Sequence, residues 1–348
     1  MTDSDLTVCV VGAGAAGAGV SHAVRGRGID VTVLEKSRGV GGRAATRRRD
    51  DCRYDHGANY VKDADPRTTE LIERLGAEGR RNIVEPVWTF DAAGEISEGR
   101  DEEGRKWTWV RGITQLSKRL FGTTDVTVRK RTRVASLREE NGEWTPIDTD
   151  GRVHGPFDAV VLTPPAPQTA ELLATTDSDS LGDELGRARG AVEAVPYRTI
   201  RSIVLHYPFA IDRPYYALVN TDREHPVGWI SREECKPGHV PDEQSLLIVQ
   251  MSPDWSTVNA DVPLEAAAQE AAGHVADVVG EDRLGDPDWV DGQEWLYALP
   301  DDGVDNAAVE PLTAAGLFVV GDWVAGEGRV HAALRSGIDI GERLGGGP

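Results

Sequence analysis

Apolar residues follow two spacings along this chain of 348 residues. Thr7-Val8-Cys9-Val10-Val11 is an unbroken β-branched run bounded by glycine, which reads as a strand buried on both faces. Ala18 to Arg27 is a run of small and apolar residues that reads as a helix closed near Gly26 and Gly28. Ile29 to Leu34 is a second apolar strand, so the chain opens on a β-α-β unit. The end returns to the same style, with a buried strand at Leu317-Phe318-Val319-Val320 and a helix from Val330 to Leu344. Between them, helical spacing predicts helices over 65–75, 112–120 and 264–279. Strands are expected over 84–90, 95–96, 124–128, 133–137, 200–206, 216–219 and 246–251. Asn141-Gly142 and Asp150-Gly151 are hairpin turns, which makes 134–162 an antiparallel meander closing on the strand Ala159–Leu162.

The glycines between these elements carry candidate chemistry. Gly12-Ala13-Gly14-Ala15-Ala16-Gly17 follows a strand, opens a helix, and has an acid, Glu35, at the end of the next strand. Gly12 suits a tight turn, Gly14 a close approach of backbone to a diphosphate, and Gly17 close packing of helix on strand. The free N–H groups of Ala15, Ala16 and Gly17 then face the diphosphate, and Glu35, with Lys36 beside it, the ribose. Gly39-Val40-Gly41-Gly42-Arg43 offers a second close approach, with Arg43 neutralising charge. This second glycine element points to FAD rather than NAD as the tightly held nucleotide. Near the end, Gly321-Asp322 closes a strand, and Gly326-Glu327-Gly328-Arg329-Val330 leads into a helix. Asp322 suits a ribityl chain. The helix start at Arg329, Val330 and Ala333 suits the pyrimidine end of a flavin, where negative charge develops on reduction. The fold class expected is therefore α/β, a Rossmann-type FAD-binding domain with an inserted α+β substrate domain. The FAD-binding part is assigned to 1–81, 122–172 and 293–348, and the substrate part to 82–121 and 173–292.

Composition narrows the function. The chain carries 58 Asp+Glu against 38 Lys+Arg, a net charge of −20. Phosphate repels such a surface, so nucleic-acid binding and binding to anionic membranes are excluded as expectations. Only six of the basic residues are lysines. An acid-rich, lysine-poor surface is expected of a protein adapted to high salt, where the Debye length is about 3 Å at 1 M. The remaining cations are not evenly spread. Arg38, Arg43, Arg47, Arg48 and Arg49 cluster just past Glu35, so positive charge is expected inside a cofactor cleft and acids outside it. Cys9, Cys52 and Cys235 are odd in number and widely spaced, with no metal-binding pattern, which fits a reducing cytoplasm and no metal. The first residues lack a basic, apolar leader, and no apolar run is long enough to span a membrane.

With these blocks together, the chain resembles the renalase-like branch of the flavin amine oxidase superfamily. The residues that carry the likeness are Val11 to Gly17, Gly39 to Arg43, Tyr54-Asp55-His56-Gly57-Ala58-Asn59-Tyr60, Gly228-Trp229-Ile230, Lys236-Pro237-Gly238, Asp254-Trp255-Ser256 and Gly321-Asp322-Trp323. The resemblance implies a p-hydroxybenzoate-hydroxylase-like fold with non-covalent FAD. It also implies oxidation of 2- and 6-dihydro-NAD(P) isomers by hydride transfer to flavin N5, with O2 as acceptor giving H2O2. Such donors are already activated, so no strong general base is required. By the same resemblance Arg43, Asn59 and Tyr60 lie along the flavin and Val134 meets the adenine through its backbone. Tyr60, Trp109, Trp229 and Trp255 are candidates to wall the nicotinamide pocket, and His56 to lie near the flavin ring. Asn59, Val61 and His331 stand where Gln, an aromatic and Glu are common in the family, which leaves the substrate open. The rival readings are a flavin amine oxidase or other dehydrogenase on the same fold, a non-catalytic flavin-binding protein, and a protein that binds NAD alone.

Overall fold

Runs with no polar interruption become the middle of a parallel sheet, because both faces of such a strand must be covered. In the computed structural model, which describes residues 6–99 and 104–346, the sheet order is Thr127–Lys130, Ile29–Glu35, Leu6–Val11, Ala159–Leu162, Leu317–Val319. Of the first residues, read above as lacking a leader, 1–5 lie outside the described part. The first helix, Ala15–Ala23, begins before the expected Ala18, directly on the glycine turn. One expectation is corrected here. Val134–Glu140 and Glu143–Asp148 do pair antiparallel, but Ala159–Leu162 leaves that meander and runs parallel beside Leu6–Val11. All four of its residues are buried, as in a strand covered on both faces.

The two ends of the chain close this domain together. Helix Ala15–Ala23 packs along the last helix, Val330–Leu344, through glycine and alanine. The approach leaves no room for a methyl group at Gly337, where a Cβ would lie 2.1 Å from the Ala16 carbonyl oxygen.

The second sheet has seven strands, in the order Trp289–Pro300, Tyr197–Tyr207, Ser245–Met251, Val227–Arg232, Ala217–Asn220, Val87–Phe90, Ile96–Ser97. Strand Trp289–Pro300 is continuous across 292/293, where the sequence reading sets a domain boundary. Alternation along Ser245–Met251 separates two faces. Leu247, Val249 and Met251 pack with Ala268, Ala272 and Val275 of helix Leu264–Val279. Leu246 and Ile248 pack with Cys52 and Tyr54 on the opposite face. No helix among the described residues is long and apolar enough to cross a membrane.

A buried group of four charges fastens the segment Asp55–Tyr60 to this second sheet. Lys236 Nζ lies 3.1 Å from Asp55 Oδ2 and 2.6 Å from Glu233 Oε1, and all three side chains are fully buried. His239 bonds Glu233 Oε2 through Nδ1 at 2.8 Å and the Trp109 carbonyl through Nε2 at 3.0 Å. The Trp109 carbonyl only accepts, and so does Glu233 as a carboxylate, so this geometry suits an imidazolium that donates from both ring nitrogens. Two carboxylates then face two cations and the group is neutral. Burial works against the charge on His239, but its bond to Glu233 holds its pKa above the ordinary value. Burial likewise opposes the Asp55 carboxylate, yet Lys236 and His239 bring it below the usual range.

Two outcomes are expected. Lys236→Met leaves two buried carboxylates facing one cation, and chemical unfolding should show a loss of about 3–5 kcal/mol. Stability from His239 is complete below its unfolded pKa near 6.5 and is lost as pH rises through its raised folded value. The melting temperature of the native protein should therefore fall on the alkaline side of neutrality, and His239→Gln should flatten that limb.

Candidate active site

The parallel sheet and the seven-stranded sheet share a cleft of about 2020 Å³. That exceeds the roughly 300–1,000 Å³ of ordinary small-molecule pockets and leaves room for a dinucleotide with a second molecule beside it. At one end, Gly12 takes φ +108° and turns the chain from strand to helix. A Cβ at Gly17 would lie 2.1 Å from the Gly12 carbonyl, so Gly17 packs the helix down and does not itself line the cleft. Gly14, Ala15 and Ala16 do line it. The space beside Gly14 is open, and the helix begins there with no side-chain cap. The first intrahelical bond comes from Ala18 N to Gly14 O, so the N–H groups of Ala15, Ala16 and Gly17 have no helical partner. An anion at this spot would meet them and the positive end of the helix.

Glu35 locks the glycine loops. Its Oε2 accepts from Ala13 N and its Oε1 from Ser37 N, each at 2.7 Å. Gly41 N donates to Ala13 O at 2.8 Å, which joins the second glycine element to the first. Lys36, Gly41, Gly42, Arg43 and Val134 all line the cleft. The Arg43 guanidinium donates to Asp322 Oδ1 at 2.8 Å and to the Ala298 carbonyl at 3.0 Å. It therefore bridges the end of strand Leu317–Val319 to the long strand Trp289–Pro300. Gly321, Asp322, Arg329, Val330, His331 and Ala333 close this part of the wall. The last helix also starts without a side-chain cap; its first internal bond is Ala333 N to Arg329 O.

The other half of the cleft is aromatic. His56, Asn59, Tyr60 and Trp229 line it, together with Gln250 and Trp295. The His56 ring lies 5.4 Å from the Trp295 ring, and Trp295 Nε1 donates to the His56 carbonyl. Burial, aided by Arg47, pushes His56 down to about 4, so it is neutral at physiological pH. Asn59 Oδ1 accepts from Ser231 Oγ at 3.1 Å, and Gln250 Nε2 donates to the Gly57 carbonyl at 2.9 Å. Trp229 Nε1 is buried with no hydrogen-bond partner.

Two aromatic candidates lie elsewhere. Trp255 stands on the short helix Pro253–Val258 and packs into the core beneath helix Leu264–Val279, with Nε1 bonded to Glu270. Asp254, one residue earlier on the same helix, lines the cleft, but the Trp255 side chain is turned into the core and does not. Trp109 is buried among Trp107, Ile113 and Leu116. Sequence reasoning passed over Trp295 and Gln250. The signal for Trp295 is the short aromatic-rich apolar run Trp295-Leu296-Tyr297-Ala298-Leu299, which has the composition of a strand.

Charge in the cleft is the reverse of charge on the chain. Twelve Lys and Arg line it against six Asp and Glu. Arg43 and Arg47 are among the twelve, whereas Arg49 lies outside, stacked on Trp289 at 4.4 Å. The expectation that acids stay outside is corrected for Glu35, Glu171, Asp254, Glu294, Asp301 and Asp322. Glu35 and Asp322 are there because they hold the loops together. None of the three cysteines lines the cleft.

Comparison with known proteins bears on the family and the fold. Residues 10–75 match the NAD(P)-binding Rossmann-like domain, and 89–343 match flavin containing amine oxidoreductase. Protoporphyrinogen oxidase 2 of Arabidopsis thaliana is 36% identical over 73 residues, which is 21% of this chain and 14% of that protein. Two solved structures share the fold end to end. A candidate protoporphyrinogen oxidase from Exiguobacterium sp. 255-15 superposes with TM-score 0.78 at 15% identity, over 98% of this chain and 99% of the other. Cyclohexylamine oxidase from Brevibacterium oxydans gives 0.75 at 14% identity, over 98% and 99%. At such identities these two speak for the fold alone. The match over 89–343 covers most of the chain, and the protein belongs to the flavin containing amine oxidoreductase family, with a mixed α/β fold and a Rossmann-like nucleotide-binding domain.

Proposed function

We propose that the protein is an FAD-dependent oxidase of renalase type, acting on 2- and 6-dihydro-NAD(P) isomers with O2 as acceptor. The observation that carries this reading is the positive lining of the cleft, twelve cations against six acids, in a chain of net charge −20. Such a lining attracts an anionic dinucleotide and repels an aminium substrate. Family membership brings the flavin, and the residues present suit FAD. The open space at Gly14, the unpartnered N–H groups of Ala15 to Gly17, and Glu35 would hold the adenosine diphosphate half, with Val134 at the adenine. Asp322 and the uncapped start of helix Val330–Leu344 would hold the ribityl chain and the pyrimidine. The cysteines stand away from the cleft, which supports a non-covalent cofactor.

The flavin held by these residues would supply the hydride acceptor for the substrate and the route for its two electrons to O2. The chain's own work is placement. Tyr60, Trp229 and Trp295 offer flat surfaces on which a nicotinamide ring can stack. Neutral His56 does not repel the cationic nicotinamide product. The acid-rich exterior suits work in concentrated salt, where its self-repulsion is screened.

Amine oxidation is the second reading, favoured by Asp254 and Glu294 in the cleft wall, either of which could pair with an aminium group. Stopped-flow reduction of the bound flavin in molar salt separates the two. Bleaching by 6-dihydro-NAD, with little by NADH and none by amines, is expected; bleaching by an amine alone sinks the first reading. Trp229→Ala should weaken turnover of the dihydronicotinamide by about ten-fold or more, from lost stacking, while flavin content stays at one per chain.

A further inference from the structure

Part of the cationic surplus of the cleft gathers at one place that neither the glycine loops nor the aromatic half uses. Thr46 and Arg48 share a face of strand Thr46–Arg49, and Thr114 and Lys118 share a face of helix Gln115–Gly122. Thr46 N donates to Thr114 Oγ1 at 2.7 Å, and Thr114 N to Thr46 Oγ1 at 3.2 Å. This double brace locks strand to helix and carries Arg48 and Lys118 outward on the same side. Arg111 joins them from the turn before the helix, where Gly112 N bonds Trp109 O at 2.7 Å. All three side chains are exposed and line the cleft.

The three are also unpaired. Their neighbours Arg47 and Arg49 reach Asp291 and Asp50 at 3.1 and 3.9 Å. Among the described residues, Arg48, Arg111 and Lys118 have no carboxylate within 4.0 Å, although the chain carries 58 acids. Burial and the repulsion of Arg48, Arg111 and Lys130 hold the Lys118 ammonium below its ordinary pKa. Like charges held together with no counter-charge of their own are relieved by an anion from outside. Two guanidinium forks and an ammonium match an oxyanion with several acceptor oxygens.

The cluster is separate from the cofactor's cradle. Thr114 Cγ2 lies 3.5 Å from the point a Cβ on Gly41 would occupy, so the brace packs against the second glycine element. The Gly14 backbone lies across that element, against Gly42. We propose that Arg48, Arg111 and Lys118 form an oxyanion site that takes a phosphate group, distinct from the site of the FAD diphosphate. It stands whether or not dihydronicotinamides prove to be the substrate.

Isothermal titration of the flavin-loaded protein with inorganic phosphate, at ionic strength fixed with chloride, tests it. Saturable one-site binding is expected, weakened at least ten-fold in Arg48→Ala and in Lys118→Ala, with flavin absorbance per chain unchanged. Arg81→Ala removes an exposed arginine outside the cleft and should bind as the native protein does. Three results would overturn the proposal: no saturable binding, loss of flavin from the cluster variants, or equal weakening in Arg81→Ala. Competition names the source of the phosphate. Displacement by NADP+ but not NAD+ assigns the site to a 2′-phosphate, displacement by both to a dinucleotide diphosphate, and displacement by neither to free phosphate; each of these upholds the site.

Discussion

The buried charges Asp55, Glu233, Lys236 and His239 are the constraint on which the active cleft depends. An ammonium with no exposure is tolerable only where carboxylates surround it, and a carboxylate there only where cations and N–H groups answer it. Asp55 meets this demand with Lys236, with Thr46 Oγ1 and with Ile113 N at once. The residues that follow Asp55 are His56, Asn59 and Tyr60, which line the cleft. One neutral group of four thus fixes the start of the aromatic wall to the strand ends of the second sheet. It also fixes the Thr46 strand that carries Arg48. A buried ionic network of this kind adds little net stability over an apolar equivalent, but it allows one arrangement and penalises all others.

A second ion pair, Arg43 with Asp322, performs the corresponding task on the nucleotide side. It ties the second glycine element to the end of the last strand, and through the Ala298 carbonyl to the seven-stranded sheet. The cleft is therefore closed at both halves by contacts between residues far apart in the chain. This arrangement explains how a chain of charge −20 can keep a positive interior. The acids inside the cleft that matter for structure, Glu35 and Asp322, are occupied by backbone N–H groups and by Arg43. The cations that remain exposed are the ones left to meet a ligand.

Legibility in the sequence followed the range of the interaction. The β-α-β start, the last strand and the last helix were readable because their signals are local: a β-branched run, a glycine at a turn, a periodic apolar face. So were Gly14, Ala15, Ala16, Glu35, Arg43 and Asp322 as residues that share one cleft. Trp255 was misplaced because the sequence does not show which side of a short helix faces the cleft, and Asp254 beside it takes that side. Ala159–Leu162 was misplaced because a hairpin turn upstream says nothing about the partner that a fully apolar strand will choose.

By itself, then, the sequence determined the nucleotide-binding frame, since glycine loops and helix starts act through their own backbone. It also determined the sign of the surface, which needs only a count of side chains. The tertiary structure alone decided which charges pair and which stay free. Asp55 and Lys236 lie 181 positions apart, and Arg43 and Asp322 lie 279 apart. Arg48 and Lys118 meet because two threonines brace a strand to a helix. Electrostatic partners are chosen by distance in space, and only the folded chain sets that distance.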